Sequence, residues 1–267
     1  MENKHKDSLT NISNRFALME YIQSVEHANL FLINVDNFSN INGAFGFDVG
    51  DAVLIEITRL LEIAKPLESR LFRINSDEFV IVTVDVMSHS ALSDVASSMV
   101  SFFDQMDIVV SEDISIKVSI SIGISVGYGC EILNQAKIAI KELREHRRGH
   151  SKIFDPNSMF IKKQKENMYW VHKIKEAFEK EQLITYYQPI INNKTKKIEK
   201  YECLVRIEDN GILIPPIRFM EASKLTGTLS LVTRRVIEQS FKTFSTTEYQ
   251  FSINIKHTDL FWCYLED

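Results

Sequence analysis

Short β-prone runs alternate with amphipathic helical segments along this chain, and this alternation constrains the fold more than any other feature. A helix is predicted from about Asn14, a buried strand over residues 30–36 and a second helix over residues 50–64. Lys65-Pro66 ends the second helix, because proline cannot continue it. Since the helices carry an apolar stripe, they are expected to pack on a sheet, which predicts an α/β fold.

Two further β-prone runs, residues 71–74 and 79–84, flank a pair of acids, Asp77 and Glu78, and predict a hairpin with a tight turn. Residues 114–126 alternate isoleucine and valine with polar or small residues, which predicts one strand with a single buried face. A helix of mixed charge is predicted to follow over residues 133–148.

The segment Asp155-Pro156-Asn157 is typical of a boundary, and we predict the domain junction near residue 160. Trp170, Ile174 and Phe178 then recur four residues apart, as on an amphipathic helix. The elements predicted after it are strands over residues 184–191, 198–207 and 251–255 and a helix over residues 229–244. Strands that alternate with helices predict an α/β unit with parallel strands.

Composition excludes several classes of function. The formal net charge of -5 gives no overall attraction to nucleic acid, which is therefore not expected as a partner. Cys130, Cys203 and Cys263 lie far apart without metal-ligand spacing, so neither a disulfide nor a zinc site is predicted. Apolar runs are much shorter than a membrane span, and the polar N-terminus lacks a signal-peptide core, which predicts a cytoplasmic location.

Five segments stand out in the first part of the chain: DSLTNISNR at residues 7–15, NVDNFSNING at 34–43, GFDVGD at 46–51, NSDEF at 75–79 and VSISIGI at 118–124. In their order and spacing they resemble the motifs of GGDEF diguanylate cyclase domains. The resemblance implies a nucleotide-cyclase-like α/β domain with a central, mostly antiparallel sheet. It also implies GTP chemistry with metal ions held by acids at the end of the first long strand and at the signature hairpin.

The chain departs from this family where the chemistry takes place. Asn34 stands where the family has a metal-binding carboxylate, and a neutral amide offers one weaker oxygen ligand. Asn75 and Ser76 replace the paired glycines of the signature, and they add side chains where the family needs backbone freedom and close approach to nucleotide. We therefore predict a degenerate domain without cyclase activity. Product inhibition is also expected to be lost, because Pro66 and Ser69 occupy the inhibitory site.

The residues that correspond to nucleotide recognition are retained. By resemblance, Asn42 and Asp51 contact guanine, and Arg144 and Arg148 contact phosphate, so GTP is a candidate ligand. Asp77, Glu78 and Phe79 keep the rest of the signature. Two interpretations stay open for Asp36 and Asp77, which are either metal ligands or solvated turn acids.

The second part of the chain contains YYQPI at residues 186–190, YECLVR at 201–206, GILIPPIRFM at 211–220 and SINI at 252–255. These segments resemble the opening of an EAL phosphodiesterase domain, a TIM-like barrel that hydrolyses cyclic-di-GMP. The resemblance assigns Glu202 and Asn254 as ligands of Mg²⁺ or Mn²⁺, and Gln188, Leu204 and Arg206 as residues that line the dinucleotide.

These assignments predict a GGDEF-like domain over residues 1–160, a connecting helix over 161–182 and the first part of an EAL barrel over 183–267. We expect a homodimer or a partner protein to cover the open edge of a partial barrel. Three functions remain open: a regulatory, nucleotide-binding module for an EAL domain in cyclic-di-GMP signalling, a cyclic-di-GMP phosphodiesterase when the barrel is complete, or an interaction scaffold that binds no nucleotide.

Overall fold

The structure of this protein is a computed structural model that describes residues 4–111, 113–146 and 149–255, without the side chains of residues 145 and 146. The chain divides into two compact units, Met1–Pro156 and Asn157–Asp267. The predicted junction near residue 160 falls just after this division. No helix within the described ranges is both long and apolar enough to cross a membrane.

The first unit contains one large sheet, a two-stranded ribbon and five helices in the described residues. Its strands are β1 (Ser13–Asn14), β2 (Ala28–Val35), β3 (Arg70–Arg73), β4 (Glu78–Thr83), β5 (Asp107–Ser111), β6 (Ile114–Lys117), β7 (Ile120–Gly127) and β8 (Ser151–Ile153). Its helices are α1 (Arg15–Ser24), α2 (Phe38–Phe45), α3 (Phe47–Ala64), α4 (His89–Gln105) and α5 (Glu131–His146).

The large sheet has the strand order β1-β3-β4-β2-β7-β8. The pairs β3–β4, β4–β2 and β2–β7 are antiparallel, whereas the outer pairs β1–β3 and β7–β8 are parallel. This confirms the prediction of a central, mostly antiparallel sheet. Strand β2 is buried at every position, because helices cover both faces of the sheet.

Helix α5 packs directly on the sheet because β7 carries a glycine at the contact. A Cβ atom at Gly123 would lie 2.2 Å from the backbone oxygen of Ala136. No side chain fits this gap, so α5 approaches β7 and β2 closely. The polar residues of α5 are thereby brought to the ends of these central strands.

The prediction of one strand over residues 114–126 with a single buried face is wrong. The segment breaks after Lys117, and β6 pairs with β5 outside the large sheet. Strand β7 is buried on both faces over residues 120–125, because α5 packs on one face and the core that includes α4 packs on the other. Its alternation of isoleucine with serine and glycine reflects close helix packing rather than solvent exposure.

The second unit begins with the helix that we predicted as a connector. Its described elements are α6 (Met159–Glu179), β9 (Leu183–Ile191), β10 (Ile198–Asp209), β11 (Ile212–Ile214), α7 (Met220–Thr226), α8 (Leu229–Phe244) and β12 (Gln250–Ile253). Trp170 and Ile174 are buried on α6 and pack with Leu183, Ile207 and Phe219. Helix α6 therefore belongs to the core of the second unit.

The strands of the second unit form an open sheet that does not close into a barrel. Strand β10 pairs with β12 in parallel but with β9 and β11 in antiparallel orientation. The prediction of parallel strands is therefore correct only for the β10–β12 pair. The short turn at residues 192–197 explains the difference, because parallel strands need a long crossover connection and a tight turn allows only antiparallel pairing.

Candidate functional site

The junction between helices α2 and α3 holds the two predicted guanine-contacting residues. Gly46 joins the helices at a φ of 87°, and its N–H donates to the Asn42 carbonyl at 3.0 Å. A Cβ atom at Gly50 would lie 1.9 Å from Asn42 Oδ1, so only glycine fits where the Asn42 side chain crosses α3. Asp51 follows as an exposed residue. The structure thus brings Asn42 and the start of α3 together, with the Asp51 carboxylate open to solvent.

The side-chain oxygen of Asn42 is the unusual atom at this junction. It is buried and has no hydrogen-bond partner among the described residues. Buried polar atoms are nearly always paired in proteins, so an unpaired one calls for a specific explanation. An oxygen that accepts a hydrogen bond only when a ligand is present is one such explanation.

Asn34, which replaces the family's metal carboxylate, lies near the end of β2. It pairs across the sheet with Glu78 on β4 and Ser121 on β7. Its side chain is 3% exposed, and its Oδ1 accepts a hydrogen bond of 2.5 Å from the guanidinium of Arg144 on α5. The oxygen that could have held a metal ion is therefore already used by a cation of the protein.

Asp36 is buried rather than solvated, with 6% of its surface exposed. Its carboxylate accepts hydrogen bonds from Ser121 Oγ at 2.9 Å, Ser119 Oγ at 3.2 Å and the Gly149 N–H at 3.1 Å. These donors lie on or beside β7 and after α5, so Asp36 joins three segments that are distant in sequence. This arrangement supports a structural role rather than either interpretation made from the sequence.

The signature hairpin is held by its own residues. Glu78 O accepts from the N–H groups of Ile74 and Asn75, and the Val35 N–H donates to Asp77 O at 3.0 Å. Phe79 is fully buried in the main core. The hairpin is thus fixed to the end of β2 through the backbone of Asp77.

Side chains fill the turn of this hairpin. Asn75 Nδ2 donates to Glu78 Oε2, and Ser76 Oγ donates to Asp77 Oδ1 at 3.0 Å. Neither Asn75 nor Ser76 has a positive φ. In this chain the turn therefore forms without a backbone conformation that favours glycine. The argument that remains concerns space, since both positions carry side chains where a ligand would approach.

Lys137 is a cation at this site that the sequence analysis missed. It lies on α5 about two helical turns before Arg144, and its Nζ is 3.7 Å from Glu78 Oε2. The spacing of seven residues places both cations on one face of the helix, which is the signal that could have identified it. Arg148, the second predicted phosphate-contacting residue, lies outside the described residues.

An ion pair connects the N-terminal segment to the signature hairpin. Arg73 Nη1 donates to Asp7 Oδ1 at 2.9 Å, and Arg73 Nη2 donates to Ser76 O at 2.9 Å. Burial alone would raise the pKa of Asp7, but hydrogen bonds from Thr10 and Arg73 outweigh it and hold that pKa below its usual value. Asp7, the first residue of the DSLT motif, therefore stabilises the turn of the signature hairpin through Arg73.

The oxygens at the end of β2 do not fit a divalent metal. The side-chain oxygen of Asn34 and both carboxylate oxygens of Asp36 accept hydrogen bonds, and Glu78 is bound by Asn75 and Lys137. Asp77, the other candidate ligand, is half-buried, and its Oδ1 accepts a hydrogen bond from Ser76 Oγ at 3.0 Å. In the described part of the chain, no group of three His, Cys, Asp or Glu side chains is placed to hold a metal ion. A hard cation such as Mg²⁺ requires several available anionic oxygens.

The second unit gathers the predicted EAL-like residues on one face of its sheet. Glu202 on β10 pairs with Gln188 on β9 and with Ser252 on β12. Asn254, two residues after Ser252, donates from Nδ2 to Glu202 Oε1 at 2.9 Å. Side chains alternate along a strand, so Glu202, Leu204 and Arg206 share a face. Cys203 points to the opposite face, where it is buried with Val236 and burial raises the pKa of its thiol.

Comparisons with known proteins find relatives for both parts of the chain. The family described as diguanylate cyclase, GGDEF domain, matches residues 4–150, and the EAL domain family matches residues 171–261. The signaling protein YkoW of Bacillus subtilis is 26% identical over 255 residues, which cover 89% of this chain and 31% of YkoW. The cyclic di-GMP phosphodiesterase PdeB of Shewanella oneidensis is 26% identical over 88% of this chain and 28% of its own length. The chain thus spans under a third of these relatives.

Solved structures show the same fold. The GGDEF domain of YfiN from Pseudomonas aeruginosa has a TM-score of 0.54 and 23% identity over 57% of this chain and 96% of that domain. The S helix-GGDEF-EAL structure of Vibrio cholerae LapD, bound to c-di-GMP, has a TM-score of 0.51 and 16% identity over 94% of this chain and 61% of LapD. At these identities the likeness establishes the architecture of both units.

Proposed function

Because the chain belongs to the GGDEF-domain family and continues into an EAL-domain segment, we propose that it acts in bacterial cyclic-di-GMP signalling as a regulatory, nucleotide-binding module without cyclase activity. One observation carries this proposal: Arg144 is bound to Asn34 where the cyclase chemistry needs a metal carboxylate. The regulated partner is the EAL domain that begins in the second unit.

Loss of cyclase activity follows from the charges at the end of β2. Joining two GTP molecules requires metal ions that activate a ribose hydroxyl and neutralise charge on the reacting phosphate. Asn34 supplies no negative charge, and the Asp36 carboxylate is buried among its own hydrogen-bond donors. The first domain therefore lacks one of the carboxylates that would hold metal ions for this reaction.

Guanine recognition is the function that the first domain retains in this proposal. The unpaired Oδ1 of Asn42 and the exposed carboxylate of Asp51 are suited to the amino and imino groups of a guanine edge. Adenine presents a different donor pattern, so selectivity for GTP over ATP is expected. A vestigial site that binds without turnover suits a regulatory domain.

The second unit supplies the residues expected to meet the dinucleotide. Gln188, Leu204 and Arg206 would contact cyclic-di-GMP, and Glu202 with Asn254 would hold Mg²⁺ or Mn²⁺ once further ligands are supplied. A homodimer or a partner protein would cover the open sheet edge. A second candidate function, cyclic-di-GMP hydrolysis by a complete EAL barrel, is favoured by the hydrogen-bonded pair of Glu202 and Asn254.

Calorimetry with GTP and ATP, combined with a cyclase assay, tests the proposal. We expect GTP binding, at least about tenfold weaker ATP binding, and no cyclic-di-GMP formed from GTP. Asp51→Ala should weaken GTP binding, whereas Asp94→Ala, which removes an exposed carboxylate from α4, should leave it unchanged. Equal affinity for GTP and ATP would contradict the proposed guanine-selective site. Formation of cyclic-di-GMP from GTP would contradict the predicted lack of cyclase activity.

A further inference from the structure

Two cationic side chains of α5, Lys137 and Arg144, face a row of oxygen atoms at the end of β2. Asn34 lies between Glu78 and Ser121 in the sheet, and helix α5 crosses this row closely because of Gly123. From α5, Arg144 binds Asn34 Oδ1 and Lys137 approaches Glu78 Oε2 at 3.7 Å. The protein thus places its own positive charges where the sequence resemblance expects metal ions.

Lys137 and Arg144 oppose the binding of a divalent metal ion at the end of β2. A divalent ion at this position would lose Asn34 Oδ1 to Arg144 and would have to displace Lys137 from Glu78. It would also be repelled by both cations, because charges a few ångströms apart interact strongly in a partly buried site. The Asp36 carboxylate is buried, and its oxygens already accept from Ser119, Ser121 and Gly149, so it is less open to an added ion than an exposed carboxylate.

The same two cations favour the binding of a phosphate group. Arg144 is an exposed residue, and the Lys137 side chain is 36% exposed, so a ligand can reach both. A guanidinium and an ammonium are the side chains that bind phosphate oxygens through charge-assisted hydrogen bonds. A phosphate needs only to replace the neutral Asn34 oxygen at Arg144, which is a weaker partner than an anion.

We propose that the first domain binds guanine nucleotides without a divalent metal, with Lys137 and Arg144 neutralising the phosphates in place of metal ions. This inference rests on the proposed guanine-nucleotide binding and specifies how the phosphates are held. It assigns Lys137 a role in binding. It also makes Asn34 the residue that excludes the metal, because it accepts from Arg144 without adding negative charge.

The test is calorimetric binding of GTP to the full chain, once with excess EDTA and once with millimolar MgCl₂. The affinity is expected to be the same within about twofold in EDTA, or lower with Mg²⁺, since Mg²⁺ competes for the same phosphates. Affinity that rises about tenfold or more with Mg²⁺ would overturn metal-free binding while leaving the guanine site intact. Absence of GTP binding in both buffers would overturn the nucleotide-binding function itself.

Variants identify the groups involved, all measured in EDTA. Arg144→Ala and Lys137→Ala should each weaken GTP binding about tenfold, and Arg144→Lys should retain part of the affinity. Arg59→Ala is the matched control, because it removes a cation from α3 that pairs with Glu56. Circular dichroism of each variant shows whether the fold is retained. Unchanged affinity in both folded alanine variants would overturn the role of these cations.

Asn34→Asp provides an independent test that does not remove a cation. A carboxylate at this position adds negative charge next to Arg144, so GTP binding in EDTA should weaken and the effect of Mg²⁺ should become more favourable. If the added carboxylate leaves the response to Mg²⁺ identical to that of the wild-type protein, Asn34 does not set the metal preference and the inference fails.

Discussion

Asp36 shows how a residue of a functional motif can take a structural role. Its carboxylate is buried and holds Ser119, Ser121 and the backbone of Gly149. Removing it leaves the buried Ser121 hydroxyl and the partly buried Ser119 and Gly149 donors without this acceptor. Buried hydrogen-bond donors that lose their acceptor cost more than the net value of the bonds themselves.

Asp36→Ala is therefore expected to lower the free energy of unfolding by about 2–3 kcal/mol. Urea denaturation followed by circular dichroism measures this change. Asp94→Ala, at an exposed position on α4, is the control and should change it by less than about 0.5 kcal/mol. A stable Asp36→Ala protein that has lost nucleotide binding would instead give Asp36 a direct role in the site.

Asp7 gives the ion pair with Arg73 a defined pH dependence. Its pKa is lowered in the folded protein, so the carboxylate stabilises the fold at pH values above the ordinary pKa that it has in the unfolded chain. That stabilisation is lost as the pH falls through the folded-state pKa. Asp7→Asn removes the charge but keeps the size of the side chain.

At neutral pH, Asp7→Asn should lower the free energy of unfolding by about 1–2 kcal/mol. The difference from the wild-type protein should shrink as the pH falls below about 4. Denaturation series at several pH values measure both quantities. A difference that stays constant down to the most acidic conditions would mean that the Asp7 charge does not contribute.

At the scale of elements, glycines allow two helices to pack closely on their neighbours. Helix α5 contacts β7 at Gly123, and Asn42 of α2 crosses α3 at Gly50. The second contact positions the guanine-recognising amide, because a side chain at residue 50 would occupy the space of Asn42 Oδ1. Helix packing and ligand recognition are therefore coupled at one position.

Gly50→Ala should displace the Asn42 side chain and weaken GTP binding about tenfold or more. Gly43→Ala is the matched control, since Gly43 lies on α2 with no atom within 4 Å of a new Cβ and no positive φ. Alanine there should keep GTP binding and raise stability by about 0.5–1 kcal/mol. Calorimetry and thermal melting distinguish the two variants, and equal GTP affinity for both would contradict the proposed geometry.

At the scale of the whole molecule, the two units carry different parts of the proposed function. The first unit holds the proposed guanine-binding residues and the cations Lys137 and Arg144. The second unit holds Glu202 and Asn254 on an open sheet. Hydrolysis of a phosphodiester by two metals needs several anionic ligands. Among the described residues of the second unit, the predicted ligands are one carboxylate and one amide, which do not supply them.

We therefore expect the chain by itself not to hydrolyse cyclic-di-GMP in the presence of Mg²⁺ or Mn²⁺. A protein extended with further EAL-domain sequence should show activity that Glu202→Ala abolishes. Glu199→Ala, which removes another carboxylate from β10, should preserve that activity. Nucleotide chromatography follows the reaction, and metal-dependent turnover by the unextended chain that is lost on Glu202→Ala would refute the prediction.

The sequence alone determined the identity of both domains and most of their elements. Motif residues such as Asn75 to Phe79 lie at fixed offsets, and helices and strands follow from local hydrophobic periodicity, as for α8 over Leu229–Phe244. The antiparallel pairing of β9 and β10 could also have been predicted from the sequence, because the turn at residues 192–197 is too short for a crossover connection. These features depend on neighbours along the chain.

Only the tertiary structure decided what the motif residues do. Asp36 meets Ser121 across 85 positions and Gly149 across 113, and Arg144 meets Asn34 across 110. No local pattern encodes these contacts, because the first arises when β2 pairs with β7, and Arg144 reaches Asn34 only when α5 packs on these strands. Hydrogen-bond donors brought by packing then decide whether an oxygen is available to a ligand. A carboxylate can serve as a metal ligand in one environment, whereas Asp36 is buried and accepts hydrogen bonds from three donors in this one.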